Sequence, residues 1–145
     1  MSASTVKALL WTITGLWVIW GLVHMLAGVI VLSSDAASAV AAIADGTPPE
    51  ALVGSYPDAA AAVINQHGWN LLWAGAVTAS AGVLIARGNT AALWLAALVG
   101  GLFDIGYFVF LDLGGFVNFV PGTVMTLVSA TAIVLSALVW RRVTA

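Results

Sequence analysis

Cysteine is absent from this chain, and charge nearly so: 145 residues carry four Lys and Arg and six Asp and Glu. Without Cys there are no disulfides, no thiolate metal sites and no Cys nucleophile. Four basic residues make no patch able to grip a phosphate backbone, which argues against a nucleic-acid partner. Only 7% of the residues are charged, against about 25% in soluble domains. Such a chain cannot clothe a globule in polar surface, so water-soluble enzymes and disordered chains are excluded as well. What is present is apolar: 62% of the residues are hydrophobic and the mean hydropathy is +1.09. The class these numbers define is an all-α integral membrane protein.

A membrane-crossing helix needs roughly 20 mostly apolar residues. Four stretches qualify, at about 9–32, 57–86, 91–111 and 119–140, and they predict a single domain over 1–145 built as a four-transmembrane-helix bundle. The runs are too long and too unalternating for barrel strands. Local chemistry marks the breaks. Pro57 suits a first helical turn, Arg87-Gly88-Asn89 a tight polar turn, and Asp112-Leu113-Gly114-Gly115 a helix stop. Asn118 is the expected N-cap of the fourth span, with Pro121 tolerated in its first turn. Ala37-Ser38-Ala39 resembles a signal-peptidase site, but the apolar run before it exceeds the roughly 7–15 residues of a signal core, so the first span is read as retained.

Charge sets an expected orientation. Lys7, Arg87, Arg141 and Arg142 all fall on one side of an even, four-span topology, and basic residues mark the cytoplasmic side. Both termini are therefore expected inside a cell membrane. Asp35, Asp45, Glu50, Asp58 and Asp112 then lie outside. The one long loop, 33–56, is on that outer side. Ser34 or Asp35 can cap a short helix over Ala36–Ala44, ended by Asp45-Gly46 and followed by the extended Thr47-Pro48-Pro49. The loop reads as a surface spacer, with a lid over the bundle mouth as the alternative.

Polar residues within spans are costly and default to functional candidates. Counting about 1.5 Å per residue from the inner ends puts Asp104 near 20 Å, His24 near 22 Å and Asn70 near 24 Å. Tyr107 and Thr123 fall close to that level, and His67 lies higher, at about 28 Å. Gly21 and Gly28 flank His24 at helical spacing, and Gly100 and Gly101 lie a turn below Asp104, which suggests faces turned into the bundle. Asp104 is expected to meet His24, with Asn70 or Tyr107 as a second partner. Trp20 and Trp73, with Trp17 and Trp69, either pack against helices and lipid or line an aromatic pocket.

Two functional classes follow. One is a buried polar and aromatic site in the outer half of the bilayer, formed by His24, Asn70, Asp104, Tyr107, His67, Trp20, Trp73 and Thr123. It would bind or act on a small, partly apolar or cationic ligand. The other is a non-catalytic accessory or assembly subunit, as a homo-oligomer or within a larger membrane complex, whose polar residues only lock helix packing. Lesser alternatives are bis-His haem ligation by His24 and His67 and a zinc site from His24, His67 and Asp104. No cofactor is identified, and the runs Gly21–Gly28 and Gln66–Asn70 match no motif of known activity.

Overall fold

In the computed structural model, which describes residues 1–143, the chain is helical with no strand among the described residues. Helix α1 covers Ala3–Ser33, α2 Ala36–Ile43, α3 Asp58–Ala86, α4 Ala91–Tyr107 and α5 Val124–Val143; a 3₁₀ turn occupies Pro49–Leu52. Helices α1, α3, α4 and α5, the last two with their adjoining wide turns, are long and apolar enough to cross a membrane. The architecture is a four-helix membrane bundle. α1 begins six residues before the apolar run, because Ser2 accepts the Thr5 amide at 3.2 Å and caps it.

Contacts fix the directions of the helices. Gly21 lies against Gly75 and Ala79, and Gly28 against Gly68 and Leu72, so α1 and α3 are antiparallel. A Cβ placed on Gly21, Gly28 or Gly75 would come within 2.5–2.7 Å of the opposing backbone. Gly68, Gly75 and Gly82 recur every seven residues on α3, as Gly21 and Gly28 do on α1. A seven-residue repeat of small residues keeps one seam of each helix on its partner and lets the two backbones touch. Trp94 and Trp140 meet edge to face at 5.7 Å, which joins the start of α4 to the end of α5. Lys7, Arg87, Arg141 and Arg142 thus gather at one end of the bundle, the basic end. The 33–56 loop and its acids lie at the other, the loop end.

The main core sits toward the basic end. Ile13, Trp17, Trp20, Ala81, Ile85, Leu93, Ala96 and Ala132 form its buried centre. Gly100 opens space there for the Trp17 ring, whose indole N–H reaches Ser136 at 3.4 Å.

Toward the loop end the helices are less regular. α4 passes into a widened turn over Phe108–Asp112, where the Leu113 amide donates to the Phe108 carbonyl at 2.9 Å. A second wide turn, Phe119–Thr123, precedes α5 and is kinked at Val120. Thr123 donates to Asp112 across the two turns at 3.0 Å.

The long loop is a roof rather than a spacer. Asp35 caps α2 by accepting the Ser38 amide at 3.0 Å and its hydroxyl at 2.8 Å. Ala39 is buried in a cluster with Val31 of α1 and Leu71 of α3. Beyond α2, the Asn118 amide donates to the Asp45 carboxylate and the Asn118 side chain to the Asp45 carbonyl, both at 2.8 Å. The Gly46 amide donates to the Phe116 carbonyl at 2.9 Å. The spacer expectation fails because α2 has apolar residues to bury and Asp45 a partner to hold. Asn118 correspondingly does not cap the last helix through its side chain, which is spent on the roof.

Candidate functional site

Asp104 lies on the buried face of α4, where Gly100 and Gly101 let α1 and α5 approach. Its Oδ2 accepts the indole N–H of Trp20 at 2.9 Å. Its Oδ1 is 3.6 Å from Nε2 of His24. Trp20 and His24, one helical turn apart on α1, stack with ring centres 3.6 Å apart and planes 19° apart. Nδ1 of His24 is 2.8 Å from the carbonyl of Trp20. A carbonyl can only accept, so Nδ1 carries a proton and Nε2 is the nitrogen presented to Asp104. Trp17 packs edge-on beneath Trp20 at 6.4 Å. A buried carboxylate, an imidazole and two indoles thus form one stack in the middle of the bundle.

Two cavities adjoin this stack. The smaller, about 80 Å³, is reached by Asp104, His24 and Tyr107 and closed by Pro121, Gly122 and Met125. The larger, about 580 Å³, lies between α3 and α4 under α2. Its walls are mostly apolar, from Val63, Ile64 and Leu71 on α3 and Phe103, Phe110 and Leu111 on the other side. Val40, Ile43 and Ala44 roof it. His24, His67, Tyr107 and Gln66 supply its polar groups. His67 stacks on Phe103 with centres 6.1 Å apart. The Tyr107 hydroxyl donates to the Ile43 carbonyl of the roof at 3.5 Å and fits against Gly122, where a Cβ would lie 2.8 Å from it. The cavity thus combines apolar walls with a few convergent polar groups.

The structure brings together His24, Asp104, Tyr107, His67 and, behind them, Trp20. It does not bring in Asn70, Trp73 or Thr123. The Asn70 side-chain oxygen Oδ1 accepts the Trp73 indole N–H at 3.1 Å on an outer face of α3. Trp73 and Trp69 are 41% and 57% exposed, so they face the surroundings and not a pocket. Thr123 is held by Asp112. Depth along a span locates a residue's level but not its angle around the helix, and these three point elsewhere. The second partner of Asp104 is Trp20, not Asn70 or Tyr107. A Trp four residues before a His, on the same helix face, is the sequence signal for it.

The metal readings find little support. Among the described residues no three His, Cys, Asp or Glu side chains lie close enough to hold a metal ion. Both nitrogens of His24 face protein partners, which leaves none directed at a haem iron. No family model, curated protein or solved structure matches this chain.

Proposed function

We propose that this protein binds a small, partly apolar molecule in the cavity between α3 and α4. The observation that carries the reading is the roofed, mostly apolar space of about 580 Å³ into which His24, His67 and Tyr107 converge. Binding comes from burial of the ligand's apolar part, and orientation from these few polar groups. The gathering of all four basic residues at one end supports a multi-pass placement with both termini cytoplasmic and the roof outside.

Gly106 offers a clean test. It lines the cavity, and a Cβ there would meet nothing within 4 Å. Gly106→Phe is expected to fill the space while melting like the wild type in detergent. Small molecules that co-purify with the wild type, read by mass spectrometry of organic extracts, are expected to be lost. Identical extracts from both proteins would refute the reading.

A second reading has its own observation. Asp104 has partners on both oxygens within the protein, so the Trp20–Asp104–His24 contacts serve as a clasp between α1 and α4 without any ligand. Under that reading the protein is an accessory or assembly subunit. Extracts would then be indifferent to Gly106→Phe, and a partner membrane protein would co-purify with both forms.

A further inference from the structure

We infer that the pocket takes an uncharged lipophile with a hydroxyl- or carbonyl-type head, and that this ligand enters sideways from the bilayer. The inference rests on the pocket reading above and adds the ligand's charge and route.

The charge argument begins at His24. Its Nδ1 is 2.8 Å from the Trp20 carbonyl and its Nε2 is 3.6 Å from Asp104, so both ring nitrogens face groups inside the bundle. Asp104 is engaged there as well, with Oδ2 accepting the Trp20 N–H and Oδ1 beside His24. Asp104 borders the smaller cavity but not the larger one, and among the described residues no Asp, Glu, Lys or Arg lines the larger cavity. A cation bound there would therefore meet no counter-charge.

An anion fares no better. Asp35, Asp45, Glu50, Asp58 and Asp112 lie at the loop end, and every Lys and Arg lies at the other. His67 makes no hydrogen bond to the protein among the described residues, and the Tyr107 oxygen keeps a free lone pair beyond its bond to the roof. These groups suit a neutral head that donates or accepts one or two hydrogen bonds, with the apolar walls taking its tail.

The route follows from which side is closed. The roof is held by the Asp45–Asn118 pair, the Gly46–Phe116 bond and the Tyr107–Ile43 contact. The flank between α3 and α4 is open. Val63 and Phe110, on its two rims, are 66% and 74% exposed, on helices long and apolar enough to cross a membrane, at the level of its outer edge.

Photo-crosslinking in phosphatidylcholine nanodiscs tests both parts, with a diazirine placed near the head of hexadecanol as the probe. Saturable labelling of the 63–71 and 103–111 segments is expected. Unlabelled hexadecanol should compete about tenfold better than hexadecyl sulfate or hexadecyltrimethylammonium. Equal competition by either ion would overturn the uncharged class while leaving the pocket in place. Labelling that no competitor displaces would instead remove the pocket reading itself. For the route, Asp45→Cys with Asn118→Cys can tie the roof by a disulfide, in a chain with no other thiol. Oxidation should leave the labelling within about twofold, whereas Val63→Trp, which narrows the flank, should reduce it severalfold. Labelling lost on oxidation and regained on reduction would mean entry through the roof and overturn the lateral route.

Discussion

At the basic end Ile13, Trp17, Ala81, Ile85, Leu93 and Ala132 close on one another, and the cavity found there between α4 and α5 measures about 30 Å³. At the loop end the same helices leave about 580 Å³ open, break into wide turns and need a separate roof. Both halves draw on the same apolar alphabet, so hydrophobicity does not separate them. Side-chain shape does. Gly100 receives the Trp17 ring in one half, in a cluster that also holds the small Ala81 and Ala96. In the other, Gly106 faces empty space and Phe110 turns outward. Packing that is complete stabilises, and packing that is left incomplete leaves a cavity beside polar groups.

Truncating an aromatic ring in each half should expose the contrast most sharply. Trp17→Ala removes a fully buried ring and its bond to Ser136, and should destabilise by about 3–5 kcal/mol. Phe103→Ala enlarges a cavity that already exists and should cost less than about half as much. Unfolding equilibria in mixed detergent would measure both, and equal losses would abolish the distinction between the halves.

The stack on the boundary comes next. Asp104→Ala strips the Trp20 indole and His24 of their partner and should cost about 2 kcal/mol. Asp104→Asn keeps an acceptor for Trp20 and can donate to a neutral His24, so its cost should stay under about 1 kcal/mol. An Asn variant that lost as much as the Ala variant would show that hydrogen bonding alone does not hold the stack.

The roof should respond locally. Asp45→Ala loses the carboxylate that accepts the Asn118 amide. Hydrogen exchange across 36–46 should quicken while global stability moves by less than about 0.5 kcal/mol. The smallest effect concerns Asp35. The Ser38 amide, and then its hydroxyl, hold this carboxyl below its ordinary value of 3.8. Folding-linked stabilisation is thus present above the unfolded value and lost as pH falls through the lower, folded one. The Ser38 amide should stay protected near neutral pH and exchange faster only in strong acid. Uniform exchange throughout that range would remove the cap.

Much of this architecture is legible in the residues alone. Span lengths follow from the thickness of a bilayer, and rise per residue puts His24 and Asp104 at one level. Rotation around the helix is the missing quantity. It separates His67, which faces α4, from Asn70 three residues later, which pairs with Trp73 on an outer face. The roof was hidden for a different reason. Its anchors, Asp45 with Asn118 and Ala39 with Val31 and Leu71, join distant parts of the chain through groups that look ordinary one at a time. The glycine seam carries a readable signal, the sevenfold spacing of Gly68, Gly75 and Gly82, whose meaning depends on Gly21 and Gly28 recurring in the same step.

That seam also bears on how the sequence can drift over generations. Where two side chains meet, a larger residue on one helix can be matched by a smaller one on the other, and the pair wanders together. At Gly21, Gly28 and Gly75 the contact is with backbone, so every substitution enlarges the residue and none on the partner can compensate. The α1–α3 pair is therefore a fixed frame in sequence space. Diversification of the cavity is left to α2, the cavity-facing residues of α3 and the loop end of α4, where side chains can change without asking two backbones to part.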